Sequence, residues 1–261
     1  MCVFIISKGE IKEKAKQNKK TIVLPETSDM RTIEAAGKVL AEGIANIILV
    51  GDKEDIMSRA GDIDLSGASF VDPKNYEKFD EYVDAFVEMR RKKGMTEARA
   101  KELLLTNVLY FGCIMVKAGD ADGMVAGAVN SSANVLRAAL QILKTAPDTK
   151  LVSAFFLVVV PNCEMGEHGT FIFSDAGLNQ FPDARELAAI AESSAKSFEL
   201  LVEAEPIVAM LSHSTKGSAH HPEIDKVIEA CRIVNEECPN LKCDGELQSD
   251  AAIVPEVAAS K

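Results

Sequence analysis

What the sequence lacks narrows its possible roles before any motif is considered. The apolar stretch at its N-terminus, Cys2 to Ile6, ends too soon for a secretory core or a membrane span. The chain is therefore expected to stay in the cytosol with no membrane partner. Positive charge is in deficit: 29 Lys and Arg face 40 Asp and Glu, giving a net charge of −11. A nucleic-acid backbone would be repelled over most of such a surface, although one small anion could still find a local cationic pocket. The six cysteines include no CxxC pair, so free thiols are expected. The adjacent His220 and His221 point to different sides of any regular element, which argues against a metal site. Also missing are GxGxxG and GxxxxGKS/T, the common nucleotide-phosphate loops, and the HExxH and GxSxG signatures of hydrolases. No internal repeat or low-complexity tract is present.

What is there is a globular α/β pattern. Hydrophobic residues make up 47% of 261 positions, enough for a substantial core in one large domain or two medium ones. "TIVLPE" (Thr21 to Glu26) and "NIILVG" (Asn46 to Gly51) are continuous apolar runs, and "MRTIEAAGKVLAEG" between them has helical spacing. Strand, helix, strand with non-alternating strands predicts a mostly parallel sheet covered by helices on both faces. A long helix is predicted from Pro73 to Lys93 with Gly94 as its stop, its stripe Phe79, Val83 and Phe86 leading to Arg90. Arg90 therefore either covers core with its stem or projects into a cleft to meet an anion. A second helix is predicted from Glu97 to Lys117. "TAPDTK" (Thr145 to Lys150) has the composition of a junction, dividing the chain into 1–147 and 148–261. Beyond it come two β-rich runs, a helix from about Pro182 to Leu201, a strand entering "SHSTKGSA", and a helix from Pro222 to Asn235.

The most informative stretch is "VAGAVNSSANVLRAAL" (Val125 to Leu140). Ser131 or Ser132 is a suitable N-cap, and the helix is predicted to bury Val135, Leu136, Ala139, Leu140 and Leu143. Arg137 lies off that stripe, and long helical side chains lean toward the N-terminus. Its guanidinium should thus approach the helix's own first turn, where a cation opposes the dipole by some tenths of a kcal/mol unless an anion lies between. A phosphate-sized oxyanion suits an arginine fork. "SHSTKGSA" is a ligand loop or a polar connection, Asp175 a strand-end site residue or a turn aspartate, and Cys163 by sequence alone an inert thiol.

Together "TIVLPE", "MRRKKGMT", "DGMVAGAVNSSANVLRAALQILKTAP", "SAFFLVVVPN", "GTFIFSDAGLN", "MLSHSTKGSA" and "DGELQSDAAIVPEVAASK" resemble the phosphate acetyltransferases (phosphotransacetylases), in order and over essentially the whole chain. The resemblance implies a two-domain fold like that of the isocitrate dehydrogenases, a homodimer, and a site in the cleft between domains. It implies interconversion of acetyl-CoA plus phosphate with acetyl phosphate plus CoA by direct transfer in a ternary complex. No metal or permanently bound cofactor is implied, and coenzyme A is a substrate. By the same resemblance Arg137 holds the phosphate of acetyl phosphate with Ser131 and Ser132 adjoining, Arg90 is a second active-site arginine, and Cys163 lines the site. Ala126, Asn130, Ala138 and His213 depart from the residues common in relatives, with consequences expected at the acyl site. The family's later segment, with its Asn-Asp-Leu-Ser-Arg-Gly motif and a catalytic aspartate, has no counterpart up to Lys261, so impaired turnover is expected. Phosphate butyryltransferase and a non-catalytic acyl-phosphate or CoA-binding fragment are the alternatives.

Overall fold

The computed structural model describes residues 8–147 and 149–261. The apolar opening Cys2 to Ile6 and Asp148 of the junction lie outside them. The chain divides into two compact units, the first ending at Lys144 and the second running from Thr145 to Lys261.

The first unit contains α1 (Lys8–Gln17), β1 (Lys20–Leu24), α2 (Met30–Glu42), β2 (Ala45–Val50), α3 (Lys53–Ala60), β3 (Ser69–Val71), α4 (Phe79–Arg90), α5 (Glu97–Thr106), α6 (Val108–Ala118), β4 (Gly123–Met124) and α7 (Ser132–Ile142). Its strands form a parallel sheet in the order β3-β2-β1-β4. Alternate side chains of a strand face opposite ways, and here both faces are covered. Val23, Ile48 and Val50 join Val83, Phe86, Phe111 and Ile114 in one cluster. Leu24, Ile47 and Leu49 join Ile33, Ala36 and Ile56 in another. That two-sided burial is why β1 and β2 read as unbroken apolar runs.

Three helix boundaries differ from the sequence reading. The helix expected from Pro73 begins only at Phe79, because the Asp72 side chain accepts from the Lys74 backbone N–H (3.0 Å) and the Asn75 amide (2.9 Å), folding the segment into a turn. It ends as α4 at Arg90 and continues as a 3₁₀ turn, Arg91–Lys93, to Gly94 at φ 77°. The helix expected from Glu97 to Lys117 is two helices, because Asn107 leaves helical geometry and its side chain caps α6 by accepting from Leu109 N–H at 3.1 Å. In α7 the fully buried positions are Ala138 and Ile142, whereas Leu140 is 43% exposed.

The second unit contains β5 (Phe155–Val159), β6 (Thr170–Ser174), α8 (Ala184–Val202), β7 (Ile207–Leu211), α9 (Pro222–Glu237), β8 (Lys242–Leu247), α10 (Ser249–Ile253) and α11 (Pro255–Ala258). β5 and β6 pair antiparallel, the exception to the parallel pattern, while β7 and β8 pair parallel. A capping box of Asp183 and Glu186 starts α8, and His221 caps α9 by accepting from Glu223 N–H. The facing sides of α8, α9 and the β7-β8 pair bury Ala188, Met210, Ala230 and Val234.

Phe86 has no solvent exposure and contacts the aromatic ring of Tyr110 at a centroid distance of 5.8 Å. Phe86→Ala should destabilise the first unit by about 3–5 kcal/mol, read as an earlier urea transition; a midpoint equal to that of the parent would contradict this account of the core.

Candidate active site

The sheet order fixes where ligand loops can gather. From β1 the chain steps to β2 and β3 on one flank, then returns to β4 on the other. The carboxyl ends of β1 and β4 therefore flank a topological switch point, where open α/β sheets place their ligand crevice.

Two segments leave those ends. The first, after β1, carries Glu26, which is 3% exposed. The second, after β4, wraps that carboxylate. Oε2 accepts from the backbone N–H groups of Gly127 (2.5 Å) and Ala128 (2.7 Å). Oε1 accepts from the N–H groups of Val129 (3.1 Å) and Asn130 (2.7 Å) and from the Asn130 side-chain amide (2.9 Å). Gly127 sits at φ 113°, a conformation L side chains rarely adopt, so glycine permits the turn that brings these amides together. Arg31, paired with Asp29, donates to the Ala128 carbonyl at 2.5 Å and holds the segment's other side. Burial alone would push the Glu26 carboxyl up, but the bonds from Asn130, Ala128 and Gly127 outweigh it and hold the group at about 2.

Helix α7 begins directly after this segment. Ser131 is its N-cap, accepting from Asn134 N–H, and Ser132 is its first residue. Arg137 is exposed and leans back one turn, its Nη1 donating to Asn134 Oδ1 at 3.0 Å. Ser131, Ser132 and Arg137 thus share the first turns of one helix, in the direction helical geometry dictates. Arg90 ends α4, which packs against α7. It is half-buried, and its Nε is buried with no hydrogen-bond acceptor among the described residues.

Cys163 belongs to the second unit, half-buried in the connection from β5 to β6. A Cβ at Gly169 would come within 3.1 Å of its own, so the loop is tightly closed around it. "SHSTKGSA" is organised by a second buried carboxylate, Glu246, which accepts from Gly217 N–H (2.7 Å) and Ser214 Oγ (3.1 Å). Asp175 accepts from the N–H groups of Leu178 and Asn179, both at 2.9 Å, and serves as a turn aspartate. Neither Glu26 nor Glu246 stands out by sequence reasoning. The available signal for Glu26 is an acidic residue just after an apolar strand, in "TIVLPE"; Glu246 lies within the polar strand β8 (KCDGEL) and carries no such signal. Among the described residues no group of three or more His, Cys, Asp or Glu is placed to hold a metal, and no helix is long and apolar enough to cross a membrane.

The first unit is thus an open parallel α/β sheet whose switch-point loop, beside β1 and β4, is closed around the Glu26 carboxylate. Residues 6–261 match the family described as phosphate acetyl/butaryl transferase, and the chain belongs to that family of acyltransferases. It is 56% identical over 252 residues to the phosphate acetyltransferase of Acetivibrio thermocellus, covering 97% of this chain and 76% of that one. Among solved structures it resembles a phosphotransacetylase from Streptococcus pyogenes (40% identity, TM-score 0.87) and the EutD phosphotransacetylase from Staphylococcus aureus (39%, 0.86). Each comparison covers 96% of this chain and 75% of the other.

The depressed Glu26 carboxyl couples the loop to pH. Its ordinary value of 4.5 lies above its folded value of about 2, so it contributes stability that is fully present above 4.5 and disappears as pH falls towards 2. The contribution amounts to roughly 3 kcal/mol. Acid titration followed by amide exchange at residues 127–130 should show that loss in the parent and its absence in Glu26→Gln; superimposable acid profiles would refute the linkage.

Proposed function

We propose that this chain acts on acetyl phosphate and coenzyme A, interconverting them with acetyl-CoA and phosphate by direct transfer in a ternary complex. The observation that carries the reading is Arg137 leaning over the first turn of α7, beside Ser131 and Ser132, at the switch point of a chain from the phosphate acetyl/butaryl transferase family. A guanidinium fork meets a phosphate at two points, and the negative ligand removes the clash between this cation and the helix dipole.

In the forward step the CoA thiolate attacks the carbonyl carbon of acetyl phosphate. The C–S bond forms, the bond from the acyl carbon to the phosphate oxygen breaks, and phosphate leaves with that electron pair. Arg137 stabilises charge on the departing phosphate, with the hydroxyls of Ser131 and Ser132 completing its coordination. Arg90, at the end of the helix α4 that packs against α7, is assigned to the same anionic site. Cys163, in the second unit, is given no role as a nucleophile. A cytosolic homodimer using no metal or resident cofactor completes the reading.

Acetyl phosphate and CoA should give the thioester with the purified chain, followed directly by absorbance. Arg137→Lys keeps the charge and loses the fork, so half-saturating acetyl phosphate should rise by about ten- to a hundredfold. Unchanged saturation would remove Arg137 from the site. Faster turnover of butyryl than acetyl phosphate would move the reading to the butyryl-transferring branch of the family.

A further inference from the structure

We propose that Glu26 is a positioning residue for the substrate phosphate: its carboxylate holds residues 127–130 in one conformation and thereby sets Ser131, Ser132 and Arg137. The proposal rests on the reading above that these three residues bind the phosphate of acetyl phosphate.

Four successive backbone N–H groups converging on one point form the kind of concavity that binds anions in phosphate loops. Here all four point at a side chain of the protein itself, with the Asn130 amide as a fifth donor. A carboxylate offers about four lone-pair positions, so Glu26 is saturated and these amides are committed. Two consequences follow. The substrate phosphate cannot use the amides of 127–130 and must be met further along, by the hydroxyls and guanidinium at the start of α7. Nor can Glu26 serve as the base for the CoA thiol, since both its oxygens are occupied and it is 3% exposed.

What remains for it is geometry. The segment passes Gly127 at φ 113° and enters α7 at Ser131, so the placement of its amides bears on where the cap and the arginine one and a half turns later emerge. The side chain must be both acidic and of this length. A Gln in its place would turn an NH₂ group towards N–H donors, and an Asp would fall one methylene short of them. Arg31, bonded to the Ala128 carbonyl, acts on the loop from the other side but leaves the amides to Glu26.

The test uses the full chain, isotopically labelled, with inorganic phosphate as the probe. In the parent, phosphate should shift the amide resonances of Ser131 through Arg137. In Glu26→Gln, amides 127–130 should lose exchange protection and phosphate affinity should fall about tenfold or more at an unchanged melting transition of the second unit. The half-saturating concentration of acetyl phosphate should rise with it, while that of CoA should not. Asn130→Ala, which removes one donor and keeps the carboxylate, should weaken phosphate about threefold and carries the test if Glu26→Gln does not fold. Phosphate binding by either variant equal to that of the parent overturns the positioning role. A parent that binds no phosphate at these residues overturns instead the reading of the site, and the positioning role with it.

Discussion

A carboxylate buried at the end of a parallel strand is a liability that this fold turns into an anchor. Glu26 leaves β1 where the sheet's outer flank carries β4, and the segment following β4 meets it with every N–H it has over four residues. Neither partner is stable alone. The carboxylate would be an uncompensated charge 3% exposed to solvent, and the converging amides would be orphaned donors. Because each satisfies the other, the crevice side of the sheet has a fixed edge, and α7 starts from it. Ser131 and Arg137 thus lie between that edge and the buried face of α7, where Ala138 and Ile142 join the core.

The second unit solves its own loop problem by the same means. After β7 the chain enters a run of small polar residues, and Glu246 from the neighbouring β8 accepts from Gly217 N–H and from Ser214, whose side chain is wholly buried. Burial alone would raise this carboxyl too, yet the backbone donors lower it. In both units an acidic residue within or just beyond one strand gathers the loop that follows the adjacent parallel strand. Parallel strands end on the same side, so their outgoing loops are neighbours, and a side chain at one strand's end is within reach of the other's loop.

How much of this was legible in the sequence follows from the range over which each feature is determined. The strands β1 and β2 and helix α2 are set by local apolar periodicity, and their predicted bounds fall within a residue or two. The direction of Arg137 was legible for the same reason, being a property of one helical turn. The failures arise where a side chain competes with the backbone. Asp72 and Asn107 each cap or turn a segment whose periodicity reads as continuous helix. The buried stripe of α7 departs from its periodicity at Leu140 because Val135 and Ala139 fit two overlapping periodic sets. Only the tertiary partner selects the one through Ala138 and Ile142. Glu26 was invisible because its donors lie 101 to 104 residues away, and no local pattern records a pairing of that span.

On the proposed reading, the occupied nest also accounts for an arginine near the positive end of a helix. Had the amides of 127–130 been free, they and the helix N-terminus would have formed a complete anion site without a cation, like a phosphate loop. With the amides given to Glu26, that donor set is no longer available, and a new one must be assembled a few residues on. Serine hydroxyls and a guanidinium reaching backward are the groups that α7 supplies there. The unfavourable meeting of Arg137 with the dipole is a few tenths of a kcal/mol, small beside a charge-assisted two-point contact with phosphate. An internal carboxylate thus builds the loop before any ligand arrives, so that in the proposed reaction the substrate phosphate meets donors already in place and need not order them.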